Sequence, residues 1–296
     1  MTPDKKILIL FHQDDSLALD KGFMILRMRS AWEARGIQVE VLHGIDKKPE
    51  ADLVIPQIDM TIIPDSYLRF LDNYPDVVNR RVRDISKRRI SQNLVHGPDD
   101  YDGPVIVKTN RNFGGLPEVH LSGSRPIPSR SSKIRRLWWR LGGRRARRSG
   151  DLASVTSLNP HQYPIFDSPK DLPSGVFEND ALIVERFLPE RDGDLYCLRN
   201  YVFLGDRHVC TRRTGKKPIV KGQTVVSRED VPVHDAIVAA RERLGFEFGK
   251  FDYVIHDGEA VLIDVNQTPC IVDHVAAEYQ RQLSILEEGI DFWLKP

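Results

Sequence analysis

The stretch GKFDYVIHDGEAVLIDVNQTP, residues 249 to 269, constrains this chain more than any other. Two apolar-rich runs, Phe251 to Ile255 and Ala260 to Val265, flank Asp257-Gly258. Asp-Gly between such runs is a strong hairpin signal. Three groups interrupt the apolar pattern: Asp252, Asp264 and Asn266. Strand side chains alternate, so Asp264 and Asn266 share a face, and folding back can bring Asp252 to it. Two carboxylates and an amide oxygen at one end of a hairpin make a hard-oxygen site, suited to Mg2+ together with phosphate oxygens. A solvated surface hairpin would carry the same acids, so this reading needs support from elsewhere in the chain.

At 296 residues the chain can form one large or two ordinary domains, taking roughly 100–200 residues for each. The formal net charge of +1 points to no partner, and no specific nucleic acid is expected. Cys197, Cys210 and Cys270 have no metal-ligand spacing and leave an odd count, which fits a reduced, cytoplasmic chain. The apolar run at the start is too short for a secretory signal. No stretch approaches the ~20 apolar residues of a membrane span.

Residues 6 to 11 read as a buried strand. A helix from about Leu17 to Ala34 follows, stopped at Gly36, and then strands at IQVEVLH and ADLVIP. Strand, helix and strand with short connections predict a small parallel sheet with Rossmann-like winding. No G-x-G-x-x-G follows the first strand, so dinucleotide binding is not indicated. His12, Asp14 and Asp15 lie just past that strand, where open α/β sheets bind ligands. Arg80 to Leu94 reads as a basic helix carrying Lys87.

In GPVIVKTNRNFGG an apolar strand carries Lys108, and Gly114 and Gly115 allow backbone N–H groups to approach a polyphosphate. ALIVERFLPE is an apolar strand running into Glu185. Two long strands then meet at Gly205-Asp206, with Arg199, Arg212 and Arg213 along them. Residues 216 to 228 suit a mobile loop over a site. A helix over Val231 to Leu244, the hairpin, and one or two helices over Ile271 to Leu294 complete the chain. Residues 124 to 150 hold ten Lys or Arg and no acid. Such a block reads as a solvated insertion or as an arm for an anionic partner or membrane surface.

Together, PVIVKTNRNFGG, LIVERFLPE and FDYVIHDGEAVLIDVNQTP resemble the ATP-grasp superfamily, in order and approximate spacing. The resemblance spans about Asn79 to Gln282. It implies an α/β chain with an N-terminal Rossmann-like parallel sheet (1–78) before a two-subdomain grasp (79–296) interrupted by the basic insertion. It further implies ATP as cofactor, with Lys108 and Lys87 on its phosphates and Glu185 on the adenine amino group. The backbone at Phe187 and Leu188 would border the ring, and Glu190 or Asp194 would hold the ribose. Asp252, Asp264 and Asn266 would hold one or two Mg2+. Arg199 or Arg212 would steady the transferred phosphoryl group or the acyl phosphate. Asp264 stands where members often carry Glu, and Asn110 and Asn112 stand where more glycines are expected.

The implied activity is an ADP-forming ligase joining a small-molecule carboxylate to an amine, or a similar nucleophile, through an acyl phosphate. Asp273 would bind the amine, and His274 would assist proton removal; a helix start would also place Asp273 there. A kinase acting on a small hydroxyl compound, or a non-catalytic nucleotide-binding protein acting through its basic arm, are the alternatives. Homo-oligomerisation is left open.

Overall fold

The computed structural model describes residues 5–16, 22–121, 149–221, 224–271 and 276–294. Asp273, His274 and nearly all of the basic segment 124–150 lie outside the described residues.

The first unit is β1 (Lys6–Phe11), α1 (Met24–Ala34), β2 (Gln38–His43), β3 (Leu53–Gln57), α2 (Asp65–Leu71) and β4 (Asp76–Val77). Its strands form a parallel sheet in the order β2-β1-β3-β4, as the strand–helix–strand pattern predicts. β1 is apolar and buried along almost its whole length, the signature of a parallel strand covered on both faces.

Next come α3 (Lys87–Ile90), β5 (Val105–Thr109), α4 (Leu116–Leu121), β6 (Ile165–Phe166) and β7 (Leu182–Arg186). Here the strands make a small antiparallel sheet, β6-β5-β7. The last unit holds β8 (Glu190–Asp192), β9 (Leu195–Leu204), β10 (Arg207–Gly215), β11 (Val225–Asp230), α5 (Asp235–Leu244), β12 (Phe248–His256), β13 (Glu259–Asn266) and α6 (Ala276–Leu286). Its antiparallel sheet runs β11-β10-β9-β12-β13, with β8 on β9.

Two expectations about local structure are corrected. Only Lys87–Ile90 of the expected 80–94 helix is α-helical. The flanking backbone bonds elsewhere: Ile85 N–H donates to Thr61 O and Val95 N–H to Val184 O. Val82, Ile85 and Ile90 go into the core of the large sheet, so tertiary pairing overrides helical propensity. Residues 225 to 230 are a strand on β10 rather than part of a loop.

The parallel sheet and the large antiparallel sheet share one core. Ile7, Ile9, Phe11 and Trp32 pack with Val202, Leu204 and Phe248, and with Leu283 and Leu286 of α6. Asn79 latches the two where the chain passes between them. Its φ of 59° is left-handed, a region that Asn tolerates better than most side chains. Its Oδ1 accepts from Glu247 N–H (2.7 Å) and Phe248 N–H (3.0 Å), and its Nδ2 donates to Phe248 O (2.7 Å). Asn79→Ala removes the side-chain partners of two buried backbone donors and one acceptor and strains the backbone. It should lower unfolding stability by about 3 kcal/mol in denaturant titration, against under about 0.5 for an ordinary surface substitution.

Candidate active site

The hairpin forms as its sequence requires. Asp257 (φ 50°) and Gly258 (φ 85°) make the left-handed two-residue turn, and Asp252 pairs directly with Asp264 across β12 and β13. A bulge follows, because Tyr253 pairs with Leu262 and leaves Ile263 over. The Ile263 carbonyl accepts from Lys108 Nζ at 3.4 Å. Bulges of this kind re-aim groups beside functional sites.

The two acids draw cations from separate elements. Lys87 Nζ lies 2.9 Å from Asp264 and also donates to Asn112 Oδ1 at 2.7 Å. Lys250, two residues before Asp252 and so on its face of β12, reaches it at 3.1 Å. Asn200 of β9, directly opposite Asp252, donates its side-chain amide to that carboxylate. Burial pushes the Asp264 carboxyl up, but the ammonium groups of Lys87 and Lys221 outweigh it and hold the group below the usual range. Burial likewise drives the Lys221 ammonium down, against the pull of Asp264 and Asp252. Asn266 pairs with Lys250 across the hairpin, and its Oδ1 accepts from Thr268 N–H at 2.8 Å, closing the strand into the Pro269 turn.

Lys108 and Glu185 stand on adjacent strands and form a buried ion pair at 2.5 Å. The second Glu185 oxygen, Oε1, is buried with no hydrogen-bond partner among the described residues. Both residues line a cleft enclosing about 860 Å³, open solvent at its mouth included. One part of its wall is apolar: Ile106, Phe187, Leu188, Leu198, Val254 and Ile263. Another carries Lys87, Lys108, Lys221, Asp252 and Asp264. Pro218 to Lys221 form part of this wall, and Val220 packs on Leu198 and Val254. Tyr163 also lines the cleft; burial pushes its phenol up to about 12, and its hydroxyl sits 3.2 Å from Thr109 Oγ1.

The turn after β5 is clamped. Phe113, Gly114 and Gly115 all have positive φ. Ser157 Oγ donates to Gly114 O at 2.7 Å, and a Cβ on Gly114 would meet Leu158 O at 2.8 Å. The two asparagines found where glycines were expected have structural partners. Asn110 accepts from the N–H groups of Lys87 and Arg88, and Asn112 Nδ2 donates to Val265 O. Neither glycine is part of the cleft wall.

Seven expected site residues are not part of this cleft wall: Gly114 and Gly115, Asn266, and also Glu190, Asp194, Arg199 and Arg212. Arg199 and Arg212 alternate onto the opposite sheet face from Asn200 and Asp252. There they cage Glu190, with contacts of 3.0 Å and 3.1 Å, and Glu190 also accepts from Ile255 N–H at 2.7 Å. Arg212 further binds Glu229 and Asp192. Asp194 is exposed in the turn between β8 and β9. Conversely, three residues were missed. Lys250 was legible from its two-residue offset to Asp252. Asn200 required knowledge of the β9–β12 register. Lys221 required the path of the loop.

No family model matches the chain, and neither does any curated protein. Solved structures do. A RiPP-associated ATP-grasp ligase from Chryseobacterium gregarium, in complex with ADP and a leader and core peptide, superposes over 98% of this chain and 96% of its own, at TM-score 0.53 and 9% identity. The chain has an ATP-grasp fold. An ATP-grasp RimK domain protein from Sphaerobacter thermophilus (98% and 99% covered) and an ATP complex of D-alanine–D-alanine ligase from Bacillus anthracis (98% and 98%) each give TM-score 0.49 at 12% identity. At such identities the likeness is one of ATP-grasp architecture alone.

The Glu190 cage makes a pH prediction. Burial raises the Glu190 carboxyl, but Arg199, the Ile255 N–H and Arg212 together hold it below its ordinary value of 4.5. A carboxyl depressed in the folded state stabilises fully above its unfolded pKa, and that stabilisation fades as pH falls through the folded one. Glu190→Gln should therefore cost about 3 kcal/mol at neutral pH. In urea titrations the gap to wild type should narrow steadily below pH 4.5.

Proposed function

We propose that the chain is an ATP- and Mg2+-dependent ligase that joins a carboxylate to an amine, or a similar nucleophile, through an acyl phosphate. The observation that carries this reading is the unpartnered, buried Oε1 of Glu185, beside Lys108 and at the border of an apolar slot. An orphaned buried acceptor is costly unless a ligand donor meets it. The adenine amino group is such a donor, and the neighbouring apolar wall suits the ring.

In this reading Glu185 Oε1 accepts from the adenine amino group, and Phe187 and Leu188 border the base. Lys108, Lys87 and Lys221 neutralise the phosphates as point charges. The facing carboxylates of Asp252 and Asp264, with Asn266 beside them, fit Mg2+, which takes one or two carboxylates and completes its shell with phosphate oxygens and water. When bound, the metal supplies charge neutralisation at the transferring phosphoryl group. Lys250, on the face of Asp252, takes the role first assigned to Arg199 or Arg212.

A substrate carboxylate oxygen attacks the γ-phosphorus, the bond to the β-phosphate oxygen breaks, and ADP leaves. The nucleophile nitrogen then attacks the acyl carbon. Inorganic phosphate departs with the C–O electron pair, and the surplus nitrogen proton passes to a base. Asp273 and His274 remain the proposed acceptor-side groups.

The test is phosphate release from ATP with paired carboxylates and amines. Lys108→Met and Asp264→Asn should each lower turnover at least about a hundredfold, since each removes a charge fixed at the phosphates. Unchanged turnover in Asp264→Asn would remove the metal assignment. Phosphate retained on an organic product would identify a kinase instead.

A further inference from the structure

Arg212 and Arg213 are neighbours on β10 and point to opposite faces of the sheet. Arg212 is surrounded by carboxylates: Glu190 at 3.1 Å, Asp192 at 2.9 Å and Glu229 at 2.7 Å. Arg213 makes no ion pair with any described residue, and its Nε is buried without a hydrogen-bond partner. Directly opposite it on β11 stands Arg228, a second cation on the same face. Like charges placed opposite each other in a sheet repel, and a buried guanidinium N–H without an acceptor is unfavourable. The nearest acid in that row of the sheet, Asp230 opposite Thr211, is bound by Arg281 at 2.5 Å.

The register fixes where this guanidinium lies. Arg213 pairs with Leu198, a wall residue of the cleft, and the adjacent Thr211 pairs with Asn200, which pairs with Asp252. Arg213 is thus on the face of the acids, two strands across and two residues along from Asp252, a Cα offset of roughly 12 Å. It is not part of the nucleotide cleft wall. The planar fork of an arginine at that distance suits a second anionic group on a molecule whose first carboxylate reacts beside Asp252 and Lys250.

We infer that Arg213 is a specificity residue and that the acid activated here is dianionic, bearing a second carboxylate or phosphonate-like group several bonds from the reacting one. This rests on the ligase reading above. The test uses hydroxylamine as nucleophile, so that any acyl phosphate is trapped as a hydroxamate without knowledge of the natural amine. The full chain is given ATP, Mg2+ and matched acids: succinate, glutarate and adipate, their monocarboxylate counterparts of equal chain length, and 3-phosphonopropionate. Wild type should favour at least one dianion over its monoanionic counterpart by tenfold or more in kcat/KM. Dicarboxylate and phosphonate arms distinguish the two forms of the second anion.

Arg213→Met should abolish that preference, and Arg213→Lys should retain part of it. ADP affinity, measured by calorimetry, should stay within twofold of wild type in both, which also reports that the variants fold. Hydroxamate formed without a dianion preference, or a preference that survives Arg213→Met, overturns the inference. A tenfold loss of ADP affinity in Arg213→Met also overturns it, by assigning the arginine to the nucleotide. Absence of hydroxamate from every acid fails the ligase reading and the inference together, a result distinct from hydroxamate without preference.

Discussion

Two carboxylates facing each other across a hairpin are the constraint around which the rest is arranged. Asp252 and Asp264 are directly paired, and like charges in that position repel. The chain answers with cations from four separate places. Lys87 comes from a single helical turn, Lys108 from β5, Lys221 from the loop between β10 and β11, and Lys250 from the strand of Asp252 itself. None of these is near another in sequence except Lys250 and Asp252. The fold must therefore bring two sheets, a helical turn and a loop to one point before the acids are balanced.

The large sheet separates two electrostatic tasks by alternation alone. One face carries Arg199 and Arg212 around Glu190, with every charge close to an opposite one, and this ties β8, β9, β10 and β12 together. The other face carries Asn200, Asp252 and Arg213. A shift of one residue in β9 or β10 would exchange these sets, placing Arg199 or Arg212 on the cleft face and Asn200 or Arg213 behind it. Register is therefore as important to the site as residue identity. The bulge at Ile263 supports the same point, because it turns a backbone carbonyl toward Lys108 without a change of side chain.

This explains which features could be read in the chain. The hairpin, the parallel sheet, the long pair of strands and α5 have local signals: Asp-Gly, short apolar runs, and the left-handed glycine at Gly245. Lys108, Glu185, Asp252 and Asp264 interrupt apolar strands, and such interruptions are conspicuous. The arginines of β9 and β10 gave no local sign of facing away, since parity relative to Asp252 depends on pairing set by the whole sheet. Residues 80 to 94 look helical because their apolar and basic residues are spaced for it. Within them, Ile85 N–H instead meets Thr61 O and Lys87 N–H meets Asn110 O, partners that local pattern does not reveal. Strand β11 is polar and mostly exposed, so it lacks the alternation that marks a half-buried strand.

The loop after β3 shows why the first sheet belongs to the site and is not an appendage to it. Ile58 O and Met60 O both accept from Gln267, and Asp59 accepts from Thr268, just past strand β13. Thr61 Oγ1 accepts from Asn112 N–H in the clamped turn, and Thr61 N–H donates to Glu118. Four consecutive residues thus hold both the strand of Asp264 and the turn that carries Asn112, which in turn grips Lys87. Movement of the parallel sheet relative to the grasp would have to break these bonds or carry strand β13 and the turn after β5 with it. The coupling runs through backbone groups and short polar side chains, which transmit position with little slack. The sheet that binds neither acid of the hairpin therefore sets the spacing between Lys87 and Asp264.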